Sequence, residues 1–208
     1  GLSDIIISKL GISVEKPNLD SWVRVVQGLS KPKLGEVDIA VVGKYIDLQD
    51  SYKSLTEALI HGGISNEVGV NIHWLDAEAL DGDTDLSDLN RYNGILVPGG
   101  FGERGIEGKV RAIQYARENK VPFFGICLGM HCAVIEFARN VARLKKANSA
   151  EFAPNTPDPV IDLLPDQSGE SDKGGTMRLG EYLCQLRKKS NAFEAYGKRE
   201  VYERHRHR

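Results

Sequence analysis

The sequence predicts a three-layer α/β/α fold on a mainly parallel sheet, and three features lead there. From Val37 onward, short apolar runs alternate with stretches of helical periodicity. The runs 37–42 and 121–126 are largely apolar without strict alternation, as in strands covered on both faces. Glycines crowd the ends of two runs, Gly99, Gly100 and Gly102 after one and Gly125 and Gly129 around the other, at the sheet edge where open α/β folds place their sites.

Taken in order, residues 1–36 differ in character from the rest of the chain. Residues 2–10 read as a short amphipathic helix, and 19–29 place Trp22, Val23, Val26 and Leu29 at helical spacing. The turn signals Glu15-Lys16-Pro17-Asn18 and Lys31-Pro32-Lys33 bracket the second helix. This segment is expected to be a linker without a core of its own. Strands are then expected over 37–42, 68–74, 93–97 and 121–126, and helices over 52–64, 108–119 and 128–142. Beyond Ala147 the pattern breaks into a loop-rich stretch with Pro154, Pro157, Pro159 and Pro165, then a polar run 168–175. A strand within 176–186 and a short helix over 191–196 come next.

The 208 residues are 41% hydrophobic and 27% charged, an ordinary globular balance that suffices for one core. A formal net charge of -2 argues against nucleic acid or an anionic membrane as partner. No apolar run reaches membrane-spanning length, and the first residues lack a cationic, then apolar, leader. The three cysteines, Cys127, Cys132 and Cys184, have no metal-ligand spacing, so the expectation is a reduced cytoplasmic protein with no metal in this chain.

The stretch Phe123-Phe124-Gly125-Ile126-Cys127-Leu128-Gly129-Met130 carries the chemistry. A buried strand, a cysteine flanked at two residues on either side by glycine, and a helix form the thiol counterpart of a nucleophile elbow. The turn is too tight for larger side chains at those flanking positions. A helix N-terminus also favours a thiolate at Cys127. An acyl-transfer nucleophile needs N–H donors for the developing oxyanion. Val97-Pro98-Gly99-Gly100-Phe101-Gly102 would bring such donors to a neighbouring strand end, with the Leu128 N–H as the second.

These two segments resemble the class I (triad-type) glutamine amidotransferases. Further blocks resemble the CTP synthase branch of that family. They are Val42-Gly43-Lys44-Tyr45, Arg104-Gly105-Ile106-Glu107-Gly108-Lys109, the segment from Ile135 to Asn140, Ala147-Asn148-Ser149-Ala150-Glu151-Phe152, the segment from Lys173 to Gly180, and Glu203-Arg204-His205-Arg206-His207-Arg208. The resemblance implies a linker over 1–36 and a glutamine amidotransferase domain over 37–208, cut short before the family's His-Pro-Glu segment. It implies that Cys127 attacks the side-chain amide of L-glutamine through a thioester, with Gly100 and Leu128 forming the oxyanion hole. Gly100, Leu128, Gly129, Met130, His131, Glu151 and Arg208 would contact substrate, Glu151 and Arg208 holding its amino and carboxylate ends. Arg104, Gly105 and Glu107 would fall, by the same resemblance, in the lid associated with GTP activation. Ammonia would pass to a separate synthetase domain, absent from this chain, that uses ATP and Mg to convert UTP to CTP in a homo-oligomeric enzyme.

Position 131 is His where the family carries Gln, which puts one donor and one acceptor in place of an amide. His61 and His73 fall in the helix expected over 52–64 and the strand expected over 68–74, where surface or structural roles are expected, and Cys132 reads as a small core residue. The alternatives are another Cys-dependent γ-glutamyl hydrolase, or a catalytically silent binding and assembly module of the same fold.

Overall fold

The computed structural model describes residues 1–15, 17–44, 49–100, 102–162 and 181–204. The chain divides into two compact units. The first holds Gly1–Ile39 and Asp47–His73, the second Ala40–Ile46 and Trp74–Arg208. The elements in order are α1 (Leu2–Leu10), α2 (Asp20–Ser30), β1 (Glu36–Gly43), α3 (Lys53–Ser65), β2 (Gly69–Asp76), β3 (Gly94–Val97), α4 (Ile106–Asn119), β4 (Phe123–Gly125), α5 (Leu128–Asn140), β5 (Asn148–Ser149), β6 (Pro159–Ile161), β7 (Glu181–Gln185), α6 (Asn191–Tyr196) and β8 (Glu200–Arg204). One sheet runs in the order β2-β1-β3-β4, and β3 pairs with β4 in parallel. A non-sequential order of this kind arises when crossovers separate parallel neighbours.

In the first unit, α1 and α2 bury no residue. Helix α1 ends at Gly11 in the left-handed conformation (φ 62°), the usual stop signal. Trp22 and Val26 are exposed on α2, while Gly28 lies so close to Ile64 of α3 that a Cβ there would stand 3.1 Å from its Cγ2.

The core of the second unit gathers Val110, Ala112, Ile113 and Ala116 of α4, Leu128, Cys132 and Ile135 of α5, and Ile95 and Val97 of β3. Helix α4 starts at Ile106, ahead of the expected 108, because Gly105 takes a left-handed N-cap conformation (φ 73°). Gly108 is a packing residue and not a helix start: a Cβ there would fall 1.8 Å from the Ala77 carbonyl oxygen. Strand β4 is shorter than the expected 121–126, since Pro122 has no N–H to give to a ladder. Helix α5 stops at Asn140, where the N–H groups of Val141 and Ala142 both turn back to the Phe137 carbonyl. Helix α6 spans the expected residues, capped by the Ser190 hydroxyl, which accepts from the Phe193 N–H. Of the strand expected within 176–186, β7 is the described part; the polar run 168–175 and the block from Lys173 to Gly180 lie outside the described residues.

A bidentate pair ties α4 to α5. Arg117 Nε donates to both Glu136 oxygens at 3.0 and 3.1 Å, Nη2 donates at 2.8 Å, and Asn140 Nδ2 adds a bond at 3.0 Å. Glu136 is buried, and its hydrogen bonds raise the guanidinium pKa of Arg117 above the ordinary value. Arg117→Ala leaves that carboxylate without its cation, and the expected loss is about 2–3 kcal/mol, less than for a fully buried pair because Arg117 is partly exposed. Replacing both residues with leucine is expected to recover most of this in urea unfolding; an unaltered midpoint in the single variant would show the pair to be idle.

Candidate active site

Register places the two glycine-bearing strand ends side by side. Ile95, Leu96 and Val97 of β3 face Phe123, Phe124 and Gly125 of β4, and the Ile126 N–H continues the ladder to the Val97 carbonyl at 2.9 Å. The chain then turns abruptly. Cys127, the N-cap of α5, holds φ 54° and ψ -109°, a conformation that costs a non-glycine residue about 1–3 kcal/mol. The cost is met by the turn around it: Gly129 N–H donates to the Ile126 carbonyl at 2.9 Å, and the Met130 and His131 N–H groups donate to the Cys127 carbonyl at 3.0 and 3.1 Å.

The flanking glycines are steric necessities. A Cβ on Gly125 would lie 2.6 Å from the Gly129 carbonyl carbon, and one on Gly129 would lie 2.0 Å from the Val97 carbonyl oxygen. Backbone thus meets backbone on both sides of the cysteine. The thiol of Cys127 is half-buried, not sealed in the core.

The glycine loop after β3 borders this turn. A Cβ on Gly99 would stand 3.4 Å from the Cys127 Cβ and 3.9 Å from its Sγ, and one on Gly100 would stand 3.6 Å from Leu128 Cδ2. Neither the Gly100 nor the Leu128 N–H donates a hydrogen bond among the described residues. Gly99 and Gly100 thus border a half-buried thiol that caps the N-terminus of α5.

The other expected residues take varied places. Gly129 is buried and Met130 exposed on the first turn of α5, and His131 is partly buried one turn from Cys127. Glu151 is exposed beyond β5, its N–H bonded to the Ser149 hydroxyl at 3.1 Å. Arg208, with His205 and His207, lies outside the described residues, as does Phe101. Arg104 is ion-paired to Glu78, and Glu107 to Arg139 at 2.8 Å. His73 Nε2 is 2.6 Å from Asp38 Oδ1, and His61 is exposed near Glu57.

Sequence reasoning missed a buried charged group on α4. Lys109 of α4 is 2% exposed, and its ammonium makes no hydrogen bond among the described residues. Burial pushes its ammonium pKa down, the Cys132 thiol raises it, and Lys44 lowers it further. Cys132 is buried and its thiol is pushed up to about 11, chiefly by burial, so it stays protonated and unreactive at neutral pH. For Cys132 the signal in sequence was its position on a helix whose inward face is apolar; for Lys109 there was none. No group of three or more metal-ligating side chains occurs among the described residues, and no described helix is long and apolar enough to cross a membrane.

Comparison with known proteins decides which family uses this turn. The sequence model of "Glutamine amidotransferase class-I" matches residues 47–208. The chain belongs to the class-I glutamine amidotransferase family. Within it, CTP synthase of Carboxydothermus hydrogenoformans is 56% identical over 208 residues, covering 100% of this chain and 39% of that protein. CTP synthase of Syntrophus aciditrophicus is 57% identical, covering 100% of this chain and 38% of that protein. Among solved structures, the glutaminase domain of Trypanosoma brucei CTPS with bound acivicin superposes with a TM-score of 0.71 at 39% identity, covering 83% of this chain and 67% of that one. The chain therefore spans about two fifths of the length of these curated relatives and corresponds to the amidotransferase part of CTP synthase. The parallel sheet and α/β architecture are those of the amidotransferase fold.

Proposed function

We propose that this chain is the glutaminase part of a CTP synthase, hydrolysing L-glutamine to supply ammonia for amination of UTP. The observation that carries the reading is the backbone of Cys127, held at φ 54° between a strand end and a helix N-terminus with Gly99 against its thiol. In the proposed reaction the Cys127 thiolate attacks the side-chain amide carbon of glutamine. The oxygen takes up the electron pair and accepts from the Gly100 and Leu128 N–H groups. Collapse breaks the C–N bond; ammonia leaves after protonation, and a γ-glutamyl thioester remains. Water then attacks the thioester carbon, releasing glutamate and the thiol. Proton transfers fall to the imidazole of the family's His-Pro-Glu segment.

Gly129, Met130 and His131 would line the substrate, with Glu151 on its amino group and Arg208 on its carboxylate. Arg104, Gly105 and Glu107 would form the effector lid for GTP. Residues 1–36 would be the linker and 37–208 the amidotransferase domain. ATP and magnesium belong, in this reading, to the synthetase part of a cytoplasmic homo-oligomer, and no step above uses them.

Acivicin, bound in the T. brucei domain, tests the site. Treating the full-length protein at neutral pH is expected to add one mass increment at Cys127 and none at Cys132, the two told apart by fragment ions from the peptide that carries both, with glutamine protecting. Labelling spread over exposed Cys184 as readily as Cys127 would mean that no specific glutamine site surrounds the thiol.

A further inference from the structure

The far end of α5 carries a cleft of about 480 Å³ lined by Arg139, Asn140, Arg143 and Lys145. Among the described residues, no carboxylate lines it. Two of its groups are already engaged: Arg139 bonds the Ala147 carbonyl at 2.7 Å and Glu107 at 2.8 Å, and Asn140 bonds Glu136 at 3.0 Å. Arg143 and Lys145, both exposed, have neither an ion pair nor a side-chain hydrogen bond among the described residues, and the same holds for neighbouring Lys146.

Cations at a helix C-terminus commonly cap its last carbonyls. Backbone N–H groups serve here instead: Val141 and Ala142 both donate to the Phe137 carbonyl, at 2.9 and 3.0 Å, and Leu144 donates to the Ala138 carbonyl at 2.9 Å. The unengaged cations are therefore not needed to finish the helix. Holding them together costs mutual repulsion, which an anion relieves. Arg143 offers a planar fork suited to phosphate oxygens and Lys145 a mobile point charge. The cleft is larger than a single phosphate requires and falls within the range of small-ligand sites.

We propose that this cleft binds an oligophosphate chain, either free or carried by a nucleoside. The 13 residues of α5 separate it from Cys127 by about 20 Å, so it is distinct from the glutamine site.

Titration calorimetry of inorganic tripolyphosphate into the full-length protein at low salt tests this. With the nucleotide sites of the synthetase part filled beforehand by unlabelled ATP and UTP, one further saturable site is expected, weakened roughly tenfold or more in Arg143→Ala/Lys145→Ala and largely kept in Arg143→Lys/Lys145→Arg. Acivicin labelling of Cys127 serves as the folding control and is expected to be equal in all three proteins. For a nucleoside triphosphate the comparison is the binding that the alanine variant loses: the same affinity there identifies the phosphate chain alone as the ligand, and tighter binding shows that the nucleoside adds contacts. No binding to the parent protein, or equal binding to the alanine variant, would overturn the proposal, as would sulfate competing equally at matched ionic strength.

Discussion

Replacing Cys127 with alanine is expected to abolish glutamine hydrolysis, a fall of about ten-thousandfold or more, while leaving the unfolding midpoint unchanged or slightly raised. The asymmetry comes from the local structure. Cys127 holds a positive φ that strains any side chain, and its half-buried thiol makes no described hydrogen bond, so little packing is lost with the sulfur. Cys127→Gly sharpens the point: it removes the nucleophile and relieves the φ strain, so inactivity should come with a gain in stability near ~1 kcal/mol. Ammonia release and thermal unfolding, measured on the same samples, separate the two effects. Hydrolysis that survives in the alanine variant would remove Cys127 from the mechanism.

The second large effect belongs to a residue with no chemistry. Gly129→Ala places a methyl group 2.0 Å from the Val97 carbonyl oxygen, where no rotamer provides escape because both partners are backbone. Helix α5 must move away from β3, at an expected cost of about 3 kcal/mol or more. Any protein that still folds should lose on the order of a hundredfold in kcat, since the thiol and its N–H donors separate. Gly99→Ala is the comparison. Its methyl would meet Cys127 at 3.4 Å, nearly ordinary contact, so it should leave the unfolding midpoint close to normal and lower turnover by crowding the thiol. Equal midpoints for Gly129→Ala and the parent would show that the close approach of α5 to β3 is not required.

The elbow was legible in the sequence because its constraint is local. Two glycines at fixed distance from a cysteine, between an apolar strand and a helix, state a steric requirement within five residues. The strand and helix order was readable for the same reason, since periodicity is a property of neighbours. What was not legible depends on residues far apart in sequence. Arg117 and Glu136 read separately as charges on helix surfaces, and only the packing of α4 on α5 brings them together across 19 residues. Glu107 and Arg139, 32 residues apart, form another such pair. Gly108, where the helix was expected to begin, lies inside α4, packed against Ala77 of a distant segment. Strand β8 escaped notice because Glu200-Val201-Tyr202-Glu203-Arg204 is mostly charged and is matched only by its antiparallel partner β7. Strands β5 and β6 are too short to show any period.

The most direct test of the account is ammonia release from L-glutamine by the full-length protein, measured alongside glutamate. The account predicts equal amounts of both products, saturation with glutamine, and complete loss after acivicin modifies Cys127. Glutamine left intact while another γ-glutamyl compound is cleaved, or ammonia release that persists with Cys127 fully modified, would contradict it.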